Sequence, residues 1–139
     1  MFKKTPLLKK PGEQEVLNEY GVHDIVVPKE MIGLLRSDHA GETGAVWIYK
    51  AASLAFWSDA IREMSLEHLP TEQNHLVVME HLVPVSQRSK LIFIWKIMGF
   101  GLGFLSALFG YYTFCVTINA VETFVESHYM DQIIKLKKM

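Results

Sequence analysis

The sequence predicts an all-α fold. Apolar residues recur at helical spacing after residue 28, and Pro28, Ser58, Pro84 and Gly110 punctuate the apolar stretches. No strand-type alternation persists for any length, and no internal repeat is present. The 139 residues suffice for one domain with a substantial core. Half of them are hydrophobic and 21% are charged, apolar for a soluble domain but not the profile of a polytopic membrane protein. A net charge of −1 argues against nucleic acid as a partner. The single cysteine, Cys115, excludes an internal disulfide, and no Cys-x-x-Cys suggests zinc.

Residues 1–27 read as a lead-in, with turns at Pro6, Pro11 and Gly12 and an extended "DIVV". The domain proper then covers 28–139. Pro28 suits a helix start, and "KEMIGLLRSDHAGETGAVWIYKAASLAFW" continues as one long helix. Ser58 or Asp59 caps a second helix that runs to about Val83 and stops at Pro84. Pro70 lies inside it and should kink it, because it removes the bond to the Leu66 carbonyl. After the polar link "VSQRS", a third helix spans 90–109. Gly110 breaks the chain there, and a fourth helix runs from Tyr111 or Tyr112 to the end.

Residues 97–118 carry no charge, a length that can cross a bilayer. Gly99, Gly101, Gly103 and Gly110 interrupt the run, however, and favour a helical hairpin over a span. Gly99, Gly103 and Ala107 form a small-residue stripe that lets another helix approach closely. Trp95, flanked by Lys90 and Lys96, suits a membrane interface. The N-terminus is basic but lacks the apolar core of a secretory signal, so a bacterial cytoplasmic origin is the simplest reading.

Glu42 poses the chemical question. It lies in a helix flanked by Gly41, Gly44, Ala45 and Val46, and a carboxylate buried alone costs more than folding can spare. It is not the only such acid. "TEQNHL" places Glu72 and His75 three residues apart, on one side of a helix. Glu122 lies among Ile118, Val121 and Val125, and Tyr129 returns to nearly its face seven residues later. Three helices offering Glu, Glu-x-x-His and Glu match most of a dinuclear carboxylate cage. Carboxylates bridge and neutralise paired cations, and imidazole completes the donor set while positions stay open for oxygen or substrate. Each residue taken singly also fits a solvated helix face. Glu126, one turn after Glu122, fits either a solvated position or the same site, and His39, His68 and His81 read as ordinary surface or hydrogen-bonded histidines.

"LLRSDHAGETGAVWIY" resembles the first iron-binding helix of the demethoxyubiquinone hydroxylases, the di-iron monooxygenases of ubiquinone biosynthesis. "TEQNHL" resembles their second-helix Glu-x-x-His, and "AVETFVESHYMDQI" their third ligand helix with its His-Tyr pair. "LIFIWKIMGFGLGFLSALFG" resembles the segment by which that family contacts the membrane and admits its lipid quinone. The resemblance covers residues 31–136 in the family's order. It implies a ferritin-like helical bundle with an apolar membrane-contacting hairpin, and iron held by Glu42, Glu72, His75 and Glu122, with Glu72 bridging. His128 and Tyr129 would act from behind the ligands.

The family carries two irons and a further helix with a second Glu-x-x-His. Here the sequence stops at "DQIIKLKKM" with no such motif, so the bundle is expected to be C-terminally incomplete. The second iron site is then incomplete as well, iron loading is substoichiometric, and the chain is prone to associate with copies of itself. The implied reaction is hydroxylation of the quinone ring with O2, on the cytoplasmic face of a bacterial inner membrane. The competing expectations are a shortened, catalytically impaired membrane-associated relative and a ferritin-like iron-binding protein.

Overall fold

The computed structural model describes residues 12–22 and 24–138. Among the described residues the fold has five α-helices: α1 (Glu13–Tyr20), α2 (Ile32–Ala52), α3 (Asp59–Leu82), α4 (Ile92–Leu108) and α5 (Tyr111–Lys137). Two single 3-10 turns, Lys29–Met31 and Val85–Gln87, precede α2 and α4. The described residues contain no strand, and the molecule is an all-helical bundle.

The lead-in holds a helix that the sequence reading did not anticipate. Glu13 and Glu15 in the first turn of α1 suit the helix dipole, and Val16 and Leu17 are buried. Gly21, at φ 67°, closes α1 with the left-handed turn that other residues adopt at a cost. The helix packs on α3. Residues 24–27, expected to be extended, form no strand, and the turns at Pro6 and Pro11 lie outside the described residues.

The first long helix ends at Ala52 instead of Trp57. The reason is tertiary: the Trp57 indole N–H donates at 2.9 Å to the Ala107 carbonyl in the last turn of α4, which also accepts from the Gly110 N–H. Ala55 in the same turn is fully buried. Ser58 then caps α3 as expected, its hydroxyl accepting from the Ile61 N–H at 3.3 Å. Helix α3 continues through Pro70 and ends just before Pro84. The next turn is clamped by arginines: Arg36 donates to the Gln87 carbonyl at 2.6 Å, and Arg88 to the carbonyls of Val83 and Glu80. Gly110, at φ 104°, turns α4 directly into α5, dividing the uncharged run 97–118 between two helices. Among the described residues no helix is long and apolar enough to cross a membrane.

Side-chain pairs give the topology. Glu42 meets His75 and Tyr49 meets His68, so α2 and α3 are antiparallel. Asp38 meets Gln132 and Glu42 meets Tyr129, so α2 and α5 are antiparallel too. Gly44 lies against Gly99 and Ile48 against Gly103, which makes α2 and α4 parallel and very close. Ile48, Tyr49, Ala52, Ala55, Ile61, Ala107, Phe114 and Ile118 form the core, with Met64, Leu69 and Val121 packed onto it. This core fixes one end of α2. The other end carries the polar side chains.

Candidate metal centre

One stripe of α2 holds Asp38, Glu42 and Tyr49, at spacings of four and seven residues that bring them to one face. Asp38, Glu42 and Tyr49 are all buried. A deeply buried carboxylate requires compensation. Glu42 finds it on two helices. From α3, His75 Nδ1 lies 3.7 Å from Glu42 Oε2 and 3.5 Å from Glu72 Oε2. From α5, the Tyr129 hydroxyl donates to Glu42 Oε1 at 2.7 Å. One ligand atom each from Glu42, Glu72 and His75 falls within 4.8 Å of the others.

The electrostatics of the three are complementary. Burial pushes the Glu42 carboxyl up, but the hydrogen bonds of His75 and Tyr129 outweigh it and leave it below the usual range. Hydrogen bonds to Glu42 and then Glu72 hold the His75 imidazole up at about 10 against its own burial. Burial, reinforced by Glu42, pushes the Tyr129 phenol well above its ordinary value, so it stays a donor. Two carboxylates thus demand a cation between them, and the imidazolium answers that demand in the metal-free protein. An oxygen-rich set with one imidazole suits iron, manganese or zinc, and these residues fit such an ion.

Glu122 stands apart from this trio. It is exposed on α5 and accepts from the Tyr49 hydroxyl at 3.4 Å. Burial and then the charges of Glu122 and Glu72 push the Tyr49 phenol up. The ring of Tyr49 also stacks on His68, at 5.6 Å between centroids. His128 does not reach the trio. Its Nε2 lies 3.2 Å from Asp38 Oδ1, 3.0 Å from Gln132 Nε2 and 3.3 Å from Ser37 Oγ. Gln132 in turn donates to Asp38 Oδ1 at 2.7 Å. Burial pushes the Asp38 carboxyl up against the opposing pull of Gln132 and His128.

Sequence reasoning passed over Asp38, Tyr49 and Gln132, although the helical spacing from Glu42 and from Tyr129 pointed to them. His39 corrects an expectation: it is buried, and neither ring nitrogen meets a hydrogen-bonding group among the described residues. Burial, then Arg88 and Lys96, push its pKa down, so it is a neutral core histidine. Tyr20 of α1 also reaches the site from the lead-in. Its ring meets His75 edge-on, 5.9 Å between centroids at 85°. Burial, then Glu19, Glu42 and Glu72, raise the pKa of its phenol.

The family described as ubiquinone biosynthesis protein COQ7 matches residues 29–139. The chain belongs to this family. It is 38% identical over 109 residues to the NADPH-dependent 3-demethoxyubiquinone 3-hydroxylase, mitochondrial, of Dictyostelium discoideum, covering 74% of this chain and 48% of that protein. It is 32% identical over 105 residues to the 3-demethoxyubiquinol 3-hydroxylase of Rhodospirillum rubrum, covering 73% and 50%. With the mitochondrial hydroxylase of Homo sapiens the identity is 31% over 103 residues, covering 72% and 47%. The chain spans about half the length of these curated relatives. No solved structure matches it. The COQ7 match begins within the turn before α2, so it contains every residue of the Glu42, Glu72, His75 and Glu122 set but not α1.

Proposed function

We propose that this chain carries the iron-binding part of a hydroxylase that inserts one oxygen atom of O2 into the ring of a demethoxylated lipid quinone. The convergence of Glu42, Glu72 and His75 within 4.8 Å is the observation that supports it most. Iron held by these residues supplies the activation of O2 that no amino-acid side chain can provide. Glu122, which accepts from the Tyr49 hydroxyl, is the candidate donor for a second ion, with Glu72 as the bridging carboxylate that the family resemblance implies. Tyr129 donates its phenol hydrogen bond to Oε1 of the ionised Glu42 and holds that carboxylate in orientation, as outer hydrogen bonds do for metal ligands. Asp38 and Gln132 fix the ring of the neighbouring His128. On this reading residues 28–139 form the metal-binding bundle, and the lead-in contributes α1.

The test supplies ferrous iron, NADPH, O2 and a short-chain demethoxyquinone to the purified chain. A product heavier by one oxygen atom, labelled from 18O2, supports the reading. Iron uptake without that product favours a ferritin-like iron-binding protein or an impaired relative.

The substrate class also requires a lipid surface. Helix α4 turns Gly99 and Gly103 toward α2, and the opposite face exposes Ile94, Ile97, Leu105 and Leu108, continued by Phe109 and Tyr112 across the turn. A contiguous apolar patch of this kind fits an interfacial membrane contact, here on the cytoplasmic side of a bacterial inner membrane. Changing Ile97, Leu105 and Leu108 together to Gln should abolish flotation with anionic liposomes while helical circular dichroism is retained. Undiminished flotation would remove α4 as the anchor.

A further inference from the structure

The lead-in helix does more than pack. Val16 and Leu17 of α1 are buried, and Gly21 ends the helix immediately after Tyr20. The last side chain of α1 is thereby set over the metal cluster. There it forms one wall of a cavity of about 200 Å³, with Glu42, His75, Val78, Met79 and Tyr129 as the others. That volume is small beside the roughly 300–1,000 Å³ of pockets that enclose drug-sized ligands. It suits a diatomic molecule or a small anion approaching the position between Glu42 and His75.

The contact with His75 is specific. The two rings meet edge-to-face, an arrangement worth about threefold to tenfold in an equilibrium beyond simple burial. An imidazole has two ring nitrogens, and only Nδ1 faces the carboxylates. A ring standing edge-on against it resists the rotation that would carry Nδ1 away. Tyr20 is itself 41% exposed, so it is not a core residue whose removal collapses the bundle. It also lies outside residues 29–139, so the family match does not account for it.

We propose that Tyr20 is a positioning residue for the candidate ligand His75 and narrows the small open pocket through which O2-sized ligands reach the metal. The proposal rests on the metal reading above and extends it to a helix the family match leaves out. Cobalt(II) replaces iron in the test, because its visible absorption reports coordination without any turnover. The full chain, Tyr20→Phe and Tyr20→Ala are titrated with cobalt(II), and then with azide as a small exogenous ligand.

Tyr20→Phe should keep the wild-type spectrum and affinity, since the ring remains. Tyr20→Ala should shift the visible bands, weaken cobalt(II) binding by about threefold, and admit azide several times faster. Wild-type behaviour of Tyr20→Ala in either the spectrum or the azide rate overturns the proposal. Loss of the spectrum in Tyr20→Phe as well would overturn it too, because the ring would then not be the acting part. Failure of the unmodified chain to take up cobalt(II) overturns the metal reading itself, a result distinct from any difference among the variants.

Discussion

Glu72→Ala will weaken ferrous iron or cobalt(II) binding by more than the ~10–100-fold that follows loss of an outer hydrogen bond to a ligand. Glu72 Oε2 lies 3.5 Å from His75 Nδ1, and both residues come from one turn of α3. Without it only Glu42 and His75 remain in the trio. A single carboxylate neutralises half the charge of a divalent ion, and Glu122, which accepts from Tyr49 and lies outside the converging trio, is not placed to refill the Glu72 position. Metal bound only by the folded chain adds about 2.7 kcal/mol at a hundredfold excess over Kd, so wild-type Tm should rise with metal. That rise should vanish in Glu72→Ala. Glu67→Ala is the control, because Glu67 is exposed on α3 and outside the trio. Calorimetric titration and thermal melts with and without metal decide the matter. Equal metal content in wild type and Glu72→Ala would remove Glu72 from the ligand set.

The parts of the fold that local chemistry determines were legible in the sequence. Ser58, Pro84 and Gly110 each punctuate the chain by their own hydrogen bonding or backbone freedom, and the helices begin and end beside them. The end of α2 was not legible, because a distant carbonyl on α4 captures Trp57 and ends the helix five residues early. No local window contains that partner. Helix α1 carried its own signals, acids in the first turn and Gly21 at the end, but at eight residues it depends on packing against α3.

The site divides in the same way. Glu42 was legible as an acid on an apolar helix, and Glu72 and His75 as a pair three residues apart on one helix face. Tyr20 was not, because only the tertiary docking of α1 brings it to His75. His39 shows the converse limit: a histidine in the motif "DHAGE" proves to be packed in the interior, away from the trio.

Gly103→Ala will lower stability by about 2 kcal/mol, a fall in Tm of roughly 8 °C for a domain of this size. A Cβ built at Gly103 would intrude on the carbonyl of Ile48, and one at Gly99 on the carbonyl of Gly44. The obstacle in both places is backbone of α2, which cannot rotate aside as a side chain can. Helix propensity works in the opposite direction, since Ala is preferred over Gly in a helix by about 1 kcal/mol. The clash must therefore exceed that gain for the substitution to destabilise, and forcing two packed backbones apart costs about 1–3 kcal/mol or more. Gly101→Ala isolates the propensity term: nothing lies within 4 Å of its Cβ position, so it should be neutral or stabilising. The consequence reaches the metal centre. Gly44 is two residues from Glu42 on α2, so Gly99→Ala should weaken metal binding as well as lower Tm, whereas Gly103→Ala acts one turn farther along and should mainly affect Tm. Thermal melts of the three variants, paired with cobalt(II) titration, separate these effects. A Gly103→Ala protein that melts at or above wild type would show that α2 and α4 are not held in this close parallel contact.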